Sequence, residues 1–218
     1  MTRPFEFPPG AFRRADEEDD RLFYASARRV VHLDAPALAA LTRVYGSLVP
    51  SNGCVLDLMA SWRSHLPTSF TGTVIGLGMN RAEMLDNPRL AQAIVHDLNR
   101  APHLPFADDA FDASLCAVSV QYLTRPVEIF REVGRTLRPG APFIVSFSNR
   151  CFPEKAVAIW RVATEAQHVA IVTAYFAAAA DGAAHGWGLL REQAFTPADG
   201  DPLRIVWGVK TVGADRPA

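Results

Sequence analysis

The sequence predicts an α/β fold: a three-layer, doubly wound, Rossmann-like sheet, mostly parallel, with an antiparallel C-terminal strand. Three observations carry this. Short apolar runs, among them Cys54 to Leu58, Thr73 to Leu77 and Phe143 to Phe147, alternate with stretches of helical spacing, the pattern of a parallel sheet covered by helices. Two turn-forming strings, Leu104-Pro105-Phe106-Ala107-Asp108-Asp109-Ala110-Phe111-Asp112 and Leu137-Arg138-Pro139-Gly140, each deliver the chain into such a run. The first run closes on Asp57 and Leu58, at the strand end where open α/β sheets hold their ligands.

The elements follow in order. Residues 1–20 carry prolines, a glycine and an acidic cluster, which predicts an irregular arm over the surface. Asp34-Ala35-Pro36 reads as an acidic N-cap with proline in the first turn, and Leu38, Leu41, Val44 and Tyr45 share one face of a helix running to Leu48. After the turn Pro50-Ser51-Asn52-Gly53 come the strands Cys54 to Leu58 and Thr73 to Leu77, a helix from Arg81 to Leu85, and a short strand from Ala93 to His96. A fourth strand is expected over Ala113 to Val120. The helix Pro126 to Thr136 repeats Val127, Phe130, Val133 and Leu137 at helical spacing, and Phe143 to Phe147 is the fifth strand. One long helix is expected from Glu154 to Ala180, then strands near Leu189 to Phe195 and Leu203 to Val212, paired as a hairpin across Thr196 to Pro202. The expected organisation is one domain over 1–218, with 1–50 an arm and helix covering the pocket and 53–212 the sheet core.

Composition narrows the function. A formal charge of −1 provides no general attraction to nucleic acid or anionic lipid. Cys54, Cys116 and Cys151 lack metal-binding spacing, and two of them fall in or beside core strands, where a thiol acts as a small hydrophobe. No histidine pair has ligand spacing, so no metal is expected. The apolar stretch Ala156 to Ala180 contains Arg161, Glu165 and His168, which argues against a membrane span, and the N-terminus lacks the order of a signal peptide. A cytoplasmic location is expected, with no nucleic-acid or membrane partner; the sequence leaves the oligomeric state open.

Val55-Leu56-Asp57-Leu58, His96-Asp97-Leu98, the Leu104-Pro105-Phe106 string through Phe111-Asp112, and Leu137-Arg138-Pro139-Gly140 stand in an order and spacing that resemble class I S-adenosylmethionine-dependent methyltransferases, nearest the type 11 group. The resemblance covers about Gly53 to Ser148. It implies S-adenosylmethionine as cofactor and methyl transfer to a small-molecule acceptor.

The resemblance also implies roles. Asp57 would anchor the methionine part, with Met59, Ala60 and Ser61 passing beneath it. Gly78, Met79 and Asn80 end the second strand beside the ribose, and Asn80 would accept one of its hydroxyl protons. Asp97 would take the adenine amino group, with Leu98 beside the ring and Ala117 and Val118 nearby. Gln121 and Tyr122 occupy positions facing the substrate, and His65 is a candidate base. Arg63 would hold the cofactor carboxylate or an anionic substrate. Tyr24 and His32, in an arm over the pocket, and Asn149 and Arg150, after the fifth strand, are substrate-side candidates. Asp112 reads as structural, fixing the turn into the fourth strand.

Two departures stand out. Met59-Ala60-Ser61-Trp62-Arg63 replaces the family's glycine-rich loop, so the loop must take another route or the pocket must be shaped differently. Gly78 stands near where an acid would meet the ribose. A cofactor- or ligand-binding protein without transferase activity is therefore the alternative. A nicotinamide enzyme is disfavoured, because no G-x-G-x-x-G follows the first strand.

Overall fold

A computed structural model describes residues 6–212. Seven strands form one sheet: β1 (Cys54–Leu58), β2 (Thr73–Gly78), β3 (Leu90–Val95), β4 (Ala113–Ala117), β5 (Pro142–Phe147), β6 (His185–Phe195) and β7 (Leu203–Val212). Their order across the sheet is β3-β2-β1-β4-β5-β7-β6. The first five run parallel, and β7 enters antiparallel between β5 and β6. The expected fold class is the observed one. The order reverses between β1 and β4, and that switch point opens a crevice at the carboxyl edge.

Helices cover both faces. The helices α1 (Asp20–Phe23), α2 (Ala35–Leu48), α3 (Arg81–Leu85), α4 (Pro126–Thr136), α5 (Ala158–Arg161) and α6 (Glu165–Ala180) follow the chain order. In α2 the Asp34 carboxylate accepts the Ala37 N–H at 2.9 Å, and Ala37, Leu41, Val44 and Tyr45 pack on one sheet face with Val55 and Ile144. On the other face α4 and α6 bury Ile129, Phe130, Val133, Val172 and Phe176 against Leu56, Phe143 and Val145. Alternation along β1 therefore sends Leu56 and Leu58 to the α4 side and Asp57, like Val55, to the α2 side. No helix among the described residues is long and apolar enough to cross a membrane.

Asp112 is structural, as expected: its Oδ2 accepts the Cys54 N–H at 2.8 Å and its Oδ1 pairs with Arg138, tying both turn strings to the start of β1. The long helix expected over Glu154 to Ala180 is instead two helices. Thr164 caps the second, its hydroxyl accepting the Gln167 N–H while the Gln167 side chain accepts the Thr164 N–H, a capping box that starts a new helix. The strand expected over Ala113 to Val120 stops at Ala117, because Val118 turns to φ +44° and Val120–Tyr122 forms a 3-10 turn. The third strand lies earlier than expected, over Leu90–Val95. Finally, the arm covers the pocket but α2 packs beneath the sheet and does not line it.

Candidate active site

The carboxyl ends of β1 to β4 and the arm enclose a cavity. Every residue expected on the cofactor side lines it: Asp57, Met59, Ala60, Ser61, Gly78, Met79, Asn80, Asp97, Leu98, Ala117 and Val118. From the arm come Tyr24, Arg28, Val30, Val31, His32 and Leu33.

Asp57 is only 4% exposed, and its Oδ2 has no hydrogen-bond partner among the described residues. Burial pushes its carboxyl up to about 7, only partly offset by a hydrogen bond from the Ser64 side chain. Burial thus favours the neutral carboxyl, and a cation arriving at its free oxygen on the cavity wall would favour the carboxylate. Just beyond β3, Asp97 lines the cavity and accepts the N–H groups of Asn99 at 3.0 Å and Arg100 at 3.2 Å through Oδ1, with no hydrogen bond at Oδ2 among the described residues.

Between these two acids the loop after β1 takes the other route that its side chains demanded. Met59 holds φ +55°, a left-handed turn that glycine makes without strain. Ala60 then donates its N–H to the Leu77 carbonyl at 2.9 Å, laying the loop across the end of β2. A Cβ at position 78 would fall 2.2 Å from the Ala60 oxygen, so only glycine fits beneath the crossing. The missing loop glycines and the missing acid at 78 are one structural fact.

The crossing loop is held by α3 and the arm. Asn87 donates to the Ser61 carbonyl and the Ser64 hydroxyl, each at 2.9 Å, and Trp62 Nε1 donates to the Val30 carbonyl at 3.1 Å. Glu83 accepts the Ser61 hydroxyl at 2.6 Å and the Arg28 N–H at 2.5 Å. The sequence reading passed over Glu83, whose N–H is accepted by Asn80 Oδ1 as the N-cap of α3. Glu83 nevertheless lines the cavity. Asn80 Oδ1 accepts one hydrogen bond in that cap, and its amide donates to the Tyr24 and Ala25 carbonyls, so the side chain is tied to the arm and keeps one acceptor position.

The substrate-side candidates divide. Tyr24, His32, Arg63, His65 and Tyr122 line the cavity. Gln121, Asn149 and Arg150 do not: the Gln121 amide donates to the Val118 carbonyl at 2.9 Å, Asn149 accepts the Ser148 hydroxyl, and Arg150 pairs with Asp201 at 2.8 Å. Tyr122 accepts the Phe152 N–H at 2.8 Å, and burial pushes its hydroxyl up to about 12. Burial, with Arg63 nearby, pulls His65 down to about 4. The arm itself is clamped: fully buried Lys155 meets Asp16 at 2.9 Å and Asp20 at 3.2 Å, and Asn99 donates to Asp20 and to the Tyr122 carbonyl.

Residues 53–145 match the family described as a methyltransferase domain. Over that stretch the sequence is similar to class I methyltransferases, and the fold of the sheet is theirs. S-adenosylmethionine is the cofactor of that class. The domain is 34% identical over 92 residues to the ubiquinone/menaquinone biosynthesis C-methyltransferase UbiE of Bartonella henselae, covering 41% of this chain and 34% of that protein. It is 29% identical over 107 residues to the methyltransferase GfsG of Streptomyces halstedii, covering 46% and 37%. The matched part thus spans about a third of these relatives. Among solved structures, a possible histamine N-methyltransferase of Thermotoga maritima aligns with TM-score 0.56 at 14% identity, covering 79% of this chain and 88% of that one. The [4+2]-cyclase SpnF aligns equally well, at TM-score 0.56 and 14% identity over 80% and 82%. The methyltransferase fold is common to both, so the fold alone does not name the reaction.

Proposed function

We propose that the protein transfers a methyl group from S-adenosylmethionine to a small-molecule acceptor, and that Asp57 is the residue on which cofactor binding turns. The carrying observation is its buried Oδ2, unpartnered on the wall of a cavity in a methyltransferase-like fold. The ammonium of the cofactor's amino-acid end suits that carboxylate, and its adenine amino group suits the free oxygen of Asp97. Bound there, the cofactor supplies an electrophilic methyl on a positively charged sulfur with the leaving group built in.

The chain's own work is then placement and exclusion of water. The arm closes the mouth with Tyr24, His32, Val30 and Val31, a mostly apolar roof over the acceptor side. Arg28 lies 4.2 Å over the Phe23 ring and Arg63 lies 4.3 Å over the Trp62 ring, and neither guanidinium is paired with a carboxylate side chain among the described residues. They favour an acceptor that carries negative charge. Tyr122 near 12 and His65 near 4 are both mistuned for taking a proton at pH 7. These two residues therefore suit an acceptor that needs no base from them, a readily ionised oxygen or carbon or a neutral amine.

Calorimetric titration with S-adenosylmethionine and S-adenosylhomocysteine tests the reading. Binding of both, with proton release that varies with pH around 7, is expected; no heat from either rules it out. Ligand binding without methyl transfer is the second reading, favoured by the glycine at 78, and binding without S-adenosylhomocysteine formation across a panel of anionic acceptors would select it.

A further inference from the structure

We infer that Glu83, on α3, takes the ribose diol of the cofactor in place of the acid that position 78 cannot hold; the inference rests on the cofactor reading above. The argument begins with sheet order. β2 lies between β1 and β3, so a ligand reaching from Asp57 to Asp97 crosses the carboxyl end of β2 with its middle portion. In S-adenosylmethionine that middle portion is a ribose, whose two adjacent hydroxyls are donors that a carboxylate can accept together. The β2–α3 segment offers the cavity Gly78, Met79, Asn80 and Glu83. Gly78 has no side chain and no space for one. Met79 is apolar, and Asn80 is engaged with the arm and the α3 cap. Glu83 is the carboxylate that remains.

Its surroundings leave it capacity. Each Glu83 oxygen accepts one hydrogen bond, from the Arg28 N–H or the Ser61 hydroxyl, and a carboxylate has about four acceptor positions. Both present donors are neutral groups, and Glu83 has no salt bridge to a lysine or arginine among the described residues. Those same bonds fix its orientation, because Ser61 belongs to the loop whose crossing excluded an acid at 78, and Arg28 belongs to the arm. The rerouted loop thus removes one carboxylate position and holds another carboxylate at the same cavity wall.

The test is a two-by-two binding comparison by calorimetry: wild type and Glu83→Gln, each with S-adenosylhomocysteine and its 3′-deoxy analogue. Glutamine keeps an acceptor for the Arg28 N–H and an amide for the Ser61 oxygen, so the arm stays docked. Wild type is expected to bind the parent at least tenfold more tightly than the deoxy analogue. In Glu83→Gln that ratio should collapse toward one, with the loss falling on the parent. A variant that weakens both ligands equally and keeps the ratio shows Glu83 to be only a strut and overturns the inference. Should the variant fail to fold, wild type alone decides, since a deoxy analogue that binds as tightly as the parent overturns it as well. Wild type that binds neither ligand overturns the cofactor reading itself, a distinct outcome.

Discussion

Replacing Asp57 with asparagine is expected to stabilise the ligand-free protein above neutral pH while abolishing cofactor binding. The Asp57 carboxyl stands at about 7 in the fold against 3.8 as its ordinary value, a rise caused by complete burial. The folded protein therefore holds this proton more tightly than the unfolded chain. Stability declines as pH rises from about 4 to about 7, and the full penalty persists above that. About three pH units at about 1.4 kcal/mol each gives a penalty on the order of 4 kcal/mol at pH 8. Asparagine removes the charge but buries an amide N–H with no assured partner, which returns roughly 1–3 kcal/mol. A net gain of about 1–3 kcal/mol at pH 8 remains, or roughly 2–10 °C in Tm for a chain of this size. At pH 4 the aspartate is itself neutral and the advantage disappears. Thermal melts of both proteins from pH 4 to 9, without ligand, measure this directly. A variant that melts below wild type at pH 8, or a difference that does not change with pH, refutes the account of Asp57 as an unpartnered buried acid.

Three further outcomes follow from the same geometry. Gly78→Asp, which would restore an acid at this strand end, should destabilise the protein by about 2 kcal/mol or more in chemical denaturation and fail to tighten S-adenosylhomocysteine, because its Cβ meets the Ala60 oxygen at 2.2 Å. Lys155→Met removes the buried cation between Asp16 and Asp20 but leaves Asp20 paired with Arg14, so it should destabilise by about 1–3 kcal/mol, with cleavage in residues 10–33 appearing first under limited proteolysis. His65→Gln should leave the pH profile of methyl transfer unchanged between pH 6 and 9, since the His65 ring at about 4 is already neutral throughout that range; a lost inflection near pH 6.5 would contradict it.

What the sequence disclosed and what it withheld divide by range. Strands and helices governed by local pattern were legible: Asp34 caps α2, Cys54–Leu58 carries the buried acid Asp57 next to its last residue, and Leu203–Val212 forms the hairpin strand. Breaks set by a single competing side chain were missed, such as Thr164 starting α6 inside an apolar run. In the site, residues attached to strand ends landed on the cavity because topology alone carries them there. Gln121 and Asn149 did not, since one peptide of difference after a strand decides whether a side chain faces the cavity or returns to the backbone. Glu83, Arg28 and Phe152 reach the cavity through pairings between distant segments, which no local spacing encodes.

The two departures from the family pattern also explain each other. A glycine-rich loop lets backbone approach a ligand closely, while a loop carrying Met59, Trp62 and Arg63 needs somewhere to put its bulk. Here it crosses β2, and the crossing is recorded at both ends, by the Ala60 N–H on the Leu77 carbonyl and by the loss of space at Gly78. Reverting either position alone meets the other. Met59→Gly relieves the left-handed strain but leaves Ala60 over β2, and Gly78→Asp strikes a loop that is still there. Only both changes together, with Ala60 and Ser61 also made small, would reopen the family's usual path, and such a variant would at the same time release Glu83 from Ser61 and detach the arm at Arg28. The altered loop, the absent acid, Glu83 and the docked arm therefore behave as one unit, and none of the four can be read as damage to an otherwise ordinary site.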